Sequence, residues 1–114
     1  MSRDIEISTA TSGEVAVIRI SGDVTAMTGG AIDNAYQTAS KDGIKKFLLQ
    51  FGQDTYINSG GIAVLIGIAS RSVKQGQVFH IAGLSDHFKK IFTMMGLTKY
   101  MKIFPSEEAA LAGF

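Results

Sequence analysis

Phe47-Leu48-Leu49-Gln50-Phe51 runs into Gly52-Gln53-Asp54-Thr55-Tyr56 and then into Ile57-Asn58-Ser59-Gly60-Gly61-Ile62-Ala63-Val64-Leu65-Ile66-Gly67-Ile68. The first segment is an unbroken apolar run, the pattern of a strand buried on both faces. The second is polar and carries a glycine, as a loop should. The third opens with a hydroxyl and two glycines and continues as a long apolar helix. Strand, loop and helix in this order point to an α/β domain, where sites are built at strand ends leading into helix N-termini. Such a terminus presents unpaired N–H groups and a partial positive charge, so it suits an anion. Ser59 sits at that point. It is either part of a helix cap or the attachment point of a phosphate.

Working outward, Ile5, Ile7 and Thr9 alternate with Glu6 and Ser8, and Val15 to Ile20 is a second, β-branched strand. Thr11-Ser12-Gly13-Glu14 between them predicts a hairpin. After Ser21-Gly22-Asp23 comes a loop over Thr25 to Gly30. Ile32, Ala35, Tyr36 and Ala39 then share one helical face, with Gly43 as a left-handed stop. Beyond Ser59, the expected buried stripe is Ile62, Leu65, Ile66, Ala69 and Val73, ending at Lys74-Gln75-Gly76. Val78 to Ala82 reads as a strand. A helix follows, capped by Ser85 or Asp86 and striped by Phe88, Ile91, Phe92 and Met95, with Gly96 ending it. Tyr100 to Phe104 is a short last strand, and Pro105-Ser106-Glu107-Glu108 starts a final helix. The whole chain, residues 1–114, reads as one α/β domain: a mixed, mostly parallel sheet of about five strands with about four helices packed on it.

Composition narrows the function. Eleven basic against ten acidic side chains give no electrostatic case for nucleic acid or an anionic membrane. With no cysteine there is no disulfide, thiol nucleophile or ordinary zinc site. The start shows no apolar signal region and no run is long enough to span a bilayer, so a cytoplasmic protein is expected. His80 falls mid-strand and His87 in a first helical turn, without metal-ligand spacing. Asp23 and Asp54 lie at strand ends, yet no carboxylate pair shares an evident site. The segment around Ser59 lacks the Gly-Lys-Ser/Thr of a phosphate-binding loop and the Gly-x-Ser-x-Gly of a nucleophile elbow. No catalytic residue, metal or cofactor is therefore expected. A capping role for Asn58 or Ser59 contributes about 1 kcal/mol. The functional alternative is a phosphorylated Ser59.

The order of elements and four segments together resemble the STAS domain, the fold of the bacterial anti-sigma-factor antagonists. Ile18-Arg19-Ile20-Ser21-Gly22-Asp23-Val24 resembles the family's second strand and Gly-Glu-Leu turn. Phe47 to Phe51 resembles its central strand. Ile57-Asn58-Ser59-Gly60-Gly61-Ile62-Ala63-Val64-Leu65 resembles its Asp-Ser-Ser-Gly-Leu-Gly-Val-Leu segment. Phe92-Thr93-Met94-Met95-Gly96-Leu97 and Ile103 to Leu111 resemble its C-terminal signature.

The resemblance implies a regulator that binds a serine kinase doubling as anti-sigma factor, of the histidine-kinase-like ATPase type. Phosphorylation at Ser59 would release that partner and a serine phosphatase would reset it. It implies partner contacts at Asp23, Thr25, Asn58, Ser59, Gly60 and Ile62, on a surface running from Gly22 to Thr28, over the Ser59 loop and along the next helix. Met94, outside the expected core stripe, is a further contact candidate. Three positions depart from the pattern. The motif's Asp is Asn58, its second Ser is Gly60, and the acid after the turn is Thr25. Ser59 is thus the motif's one hydroxyl, and it lies among fewer negative charges than the family pattern provides. Ser59-Gly60-Gly61-Ile62-Ala63 is also reminiscent of the Thr-Gly-Gly-Leu-Ala segment of STAS subunits in lipid-transport ABC complexes, which implies a non-switching adaptor as the alternative. Self-association stays open.

Overall fold

The computed structural model describes residues 5–114. Its central sheet contains β1 (Glu6–Ser12), β2 (Val15–Ser21), β4 (Lys46–Phe51), β6 (Val78–Ala82) and β7 (Met101–Phe104), in the order β1-β2-β4-β6-β7. β1 is antiparallel to β2, and every other neighbouring pair is parallel. Four helices connect and cover the strands: α1 (Gly29–Lys41), α2 (Ser59–Lys74), α3 (Asp86–Met94) and α4 (Glu107–Ala112). The hairpin, the parallel strands and the helices agree with the expected α/β architecture.

The alternation along β2 and β4 separates two apolar layers. Ala16, Ile18, Ile20, Phe47, Leu49 and Phe51 face the layer made with α1, α2 and α3. Val15, Val17 and Leu48 face a smaller layer that includes Ala110 of α4. β4 and β6 are covered on both faces, which explains their nearly continuous apolar sequences. In the larger layer Tyr36, Phe47 and Phe79 pack ring against ring, with centroids 4.8–5.4 Å apart.

Several local expectations change. Two short strands were missed, β3 (Asp23–Val24) and β5 (Tyr56–Ile57), which pair in parallel as a separate ladder. α1 begins at Gly29, inside the stretch read as loop. The buried face of α2 is Gly61, Ile62, Leu65, Ile68, Ala69 and Ser72, rotated by about 60° from the expected stripe on a helix of 100° per residue. Val73 is exposed and Ile66 only half-buried. The cause lies at the helix start, because Gly61 seats directly against the β3 backbone and that seating turns Ile68 and Ser72 inward. Ser72 then satisfies its hydroxyl by donating to the Ala69 carbonyl at 2.8 Å.

On α3, Met95 is also exposed rather than core. The helix ends one residue earlier, Gly96 reverses the chain at φ 81°, and Leu97 of the following 3-10 turn takes the buried place. Tyr100 precedes the last strand rather than joining it.

Candidate functional site

The parallel strands β2, β4 and β6 all end on the same side of the molecule, and α2 starts there. The β3–β5 ladder pairs Asp23 with Tyr56 and Val24 with Ile57. The Asn58 amide extends it by donating to the Val24 carbonyl at 3.1 Å. The turn into β3 needs Gly22, whose φ of 92° is a left-handed conformation that side chains disfavour. Two loops distant in sequence are thereby held side by side.

Their approach depends on small residues. A Cβ on Gly61 would lie 2.3 Å from the Val24 carbonyl oxygen, and one on Gly60 would lie 2.9 Å from the Ala26 Cβ. One on Gly29 would meet the Val64 Cγ2 at 2.9 Å. The first turn of α2 can therefore lie against the β3–α1 loop and the start of α1. Thr25 and Thr28 lock that loop reciprocally. The Thr25 N–H donates to the Thr28 Oγ1 at 2.8 Å, and the Thr28 N–H to the Thr25 Oγ1 at 3.1 Å. The Thr28 hydroxyl also donates to the Asp23 carbonyl at 2.7 Å. This is the logic of a capping box, carried here by two threonines.

Asn58 is the N-cap of α2: its Oδ1 accepts from the Gly61 N–H at 2.9 Å. The choice left open in the sequence thus falls on Asn58, and Ser59 is the first helical residue. Ser59 is exposed, and its side chain makes no hydrogen bond among the described residues. No acidic residue occupies the first turn of α2, and none occupies the first turn of the adjoining α1. The partial positive charge of both helix starts is left without a carboxylate from their own first turns.

Asp23, Thr25, Asn58, Ser59 and Gly60 come together in this way. Ile62 does not join them as a contact: it is 7% exposed and belongs to the core, because it lies on the face of α2 that meets the sheet. Met94 is 84% exposed, but it lies at the far end of α3, about 12 Å along a helix that begins beside the Ser59 loops. Two apolar side chains at the site carried no sequence signal. Met27, at the tip of the β3–α1 loop, is 92% exposed, and Tyr56, in contact with the Phe88 ring at 5.9 Å, is 52% exposed. Their loop positions lack the periodicity that marks an apolar residue as core or surface.

The two histidines lie elsewhere. His80 is buried against α4, its Nδ1 2.8 Å from the Ala110 carbonyl and its ring stacked 3.7 Å from that of Phe114. The carbonyl can only accept, so Nδ1 carries the proton. Burial pushes the pKa of His80 below the ordinary imidazole value, while the Ala110 carbonyl partly opposes the shift and Lys102 adds to it. His87 is exposed and lies edge-on to Phe88. No group of three or more His, Cys, Asp or Glu is placed to hold a metal among the described residues. No helix there is long and apolar enough to cross a membrane.

A fold of this topology, with its exposed serine at the start of the helix after the central strand, is that of a STAS domain. The STAS domain family profile matches residues 6–110, and the chain belongs to that family. The anti-sigma-B factor antagonist of Staphylococcus aureus (strain NCTC 8325 / PS 47) is 19% identical over 100 residues, covering 88% of this chain and 93% of that protein. An anti-sigma factor antagonist from Mycobacterium paratuberculosis superposes with a TM-score of 0.82 at 18% identity, covering 96% of this chain and 93% of that one. The phosphorylated form of the Bacillus cell fate determinant SpoIIAA superposes with a TM-score of 0.69, also at 18% identity, covering 96% and 100%. The family is generally non-catalytic.

Proposed function

We propose that this domain is a cytoplasmic regulator of the anti-sigma-factor-antagonist type, which docks a kinase/anti-sigma factor through the Ser59 face and is switched by phosphorylation of Ser59. The observation that carries the reading is the placement of Ser59: an exposed hydroxyl on the first residue of α2, beside the locked β3–α1 loop, with no carboxylate in either adjoining first helical turn. Met27 and Tyr56 give the same face exposed apolar area for a partner. In the transfer, the Ser59 Oγ–phosphorus bond forms as the bond between the β- and γ-phosphates of ATP breaks, and the kinase supplies the base. The product carries about 1.5 to 2 added negative charges. Those charges are favourable beside the open helix starts and unfavourable under an acidic or apolar partner surface, so the fold is kept while the partner is released. A serine phosphatase would reverse the step.

Incubation with the cognate kinase and ATP, followed by mass spectrometry, tests the switch. Phosphate is expected on Ser59 alone. Its absence, with a kinase shown to be active on another substrate, overturns the reading. A pull-down comparing wild type with Ser59→Asp should show the loss of one major partner at unchanged circular dichroism.

A second reading, a fixed adaptor subunit of a larger assembly such as a lipid-transport ABC complex, draws support from the Asn58-Ser59-Gly60-Gly61 segment. Asn58 and both glycines have structural roles as cap and contact points, and the family's motif carboxylate is replaced. In that case Ser59→Asp would leave partner capture unchanged.

A further inference from the structure

Along α3 and the strand that follows it, the charge pattern departs from the rest of the chain. Residues 87–106 hold four of the eleven Lys and Arg side chains, Lys89, Lys90, Lys99 and Lys102, and none of the ten Asp and Glu. This segment forms α3 after its first residue, Asp86, then the 3-10 turn Leu97–Lys99 and β7. β7 is an edge strand: β6 pairs with one side, and no described strand pairs with the other. Between this free edge and α3 runs a groove of about 480 Å³, lined by Lys89 and Thr93 of α3, Thr98, and all four residues of β7. Lys89, Thr93 and the exposed Met94 continue its wall as an apolar ledge.

A helix laid beside an unpaired strand edge is the geometry in which a sheet accepts an additional extended segment: main-chain hydrogen bonds supply affinity, and alternate side chains supply selectivity. The free edge holds backbone donors and acceptors ready for such pairing. Met101 and Ile103 point to the α3 side of the sheet, where they join the larger core, while Phe104 belongs to the α4 side and Lys102 shares its parity. The groove therefore has a cation on each side, Lys89 by the helix and Lys102 by the opposite face. Lys89 lies 3.7 Å from Asp86, an exposed neighbour on its own helix, so the pair is readily exchanged.

We infer that the β7–α3 groove binds an acidic extended segment of a partner protein, added as a sixth strand beside β7. Charge complementarity selects that occupant. A second copy of this chain is disfavoured, since antiparallel pairing of β7 with its equivalent would bring Lys102 close to the same lysine of the copy, and like charges across a strand pair oppose pairing. This surface shares no lining residue with the Ser59 face.

An NMR titration of the labelled chain tests the inference, using an acetylated, amidated octapeptide of alternating Glu and Val. The alternating Lys and Val octapeptide and vesicles containing an anionic phospholipid form the other arms. The Glu–Val peptide should shift Met101 to Phe104 and Lys89 to Met94 and slow amide exchange on the outer edge of β7. The K89E/K102E double variant, whose substitutions lie on partly or fully exposed side chains, should keep its circular dichroism and weaken binding by about tenfold or more. The inference is overturned by no binding of the Glu–Val peptide, by equal binding of the Lys–Val peptide, or by shifts confined to β1. Binding to vesicles without binding to the peptide, or shifts that follow protein concentration alone, would also overturn it.

Discussion

The helices of this domain start in two different ways. α3 and α4 are each capped by a serine, Ser85 accepting from the Phe88 N–H and Ser106 from the Ala109 N–H, and each places acids in its first turn. Glu107 of α4 also reaches Arg19 of β2 at 2.9 Å. α1 and α2 have no acid in the first turn; glycines stand there, and the two starts lie against one another. Where a helix start only has to be stable, the sequence neutralises its dipole. At the starts beside Ser59 the first turns carry no acid, and the backbone is brought close. The difference sets the two helix starts beside Ser59 apart from the other two.

Substitutions can break that contrast, and the largest effect is expected at a glycine of α2. Gly61→Ala should lower the free energy of unfolding by about 2 kcal/mol, since its methyl group would meet the Val24 carbonyl and force the β3–β5 ladder apart. Gly30→Ala, in open space on α1, should leave stability unchanged or raise it by up to about 1 kcal/mol. Urea denaturation of both reads the comparison directly, and equal losses would show that the close approach is unimportant.

Acid sharpens the contrast from the α4 side. The folded-state pKa of His80 lies below its unfolded value, so the unfolded chain binds the extra proton more readily. Stability from this site is fully present above the unfolded pKa. It is lost as pH falls through about 6.5 and stops falling below the folded pKa. A urea midpoint followed from about pH 8 to about pH 5 should drop in wild type and drop less in His80→Gln. An identical pH profile in the variant would remove His80 as the cause.

The caps come next. Asn58→Ala and Ser106→Ala should each cost about 1 kcal/mol. Asn58→Asp should instead stabilise by about 0.5 kcal/mol, because it places a charge where α2 has none, and added salt should shrink the gain. The smallest effect is expected at the end already supplied with acids. Glu107→Gln should change stability by no more than about 0.5 kcal/mol, since its pair with Arg19 is partly open to solvent.

Much of this arrangement is legible in the sequence. Val78 to Ala82 was delimited to the residue by its apolar run between Gly76 and Gly83, and the hairpin by Gly13. Ser106 announces its helix through the acids that follow it, and the cap of α3 is narrowed to Ser85 or Asp86. What escaped was set by contacts at long range. Two-residue strands such as Asp23–Val24 are shorter than any periodicity can register, yet this one ties the Ser59 loop to the rest of the domain. Val73 and Met95 fitted a 3.6-residue repeat and are nonetheless exposed, because the seating of Gly61 and the reversal at Gly96 decide which face meets the core. At the candidate site, Ser59 is visible through its place at a helix start, and Asn58 and Gly60 as contacts through family resemblance. Met27 and Tyr56 were not, since only the folded loops bring them together.

The Thr25–Thr28 lock has a kinetic consequence. A loop held by its own reciprocal hydrogen bonds before any encounter loses little freedom when a partner arrives. Association should therefore proceed at similar rates whether or not Ser59 carries a phosphate, and the two forms should differ in how long the complex survives. If the proposed switch operates, the covalent state of Ser59 would set how long a complex survives.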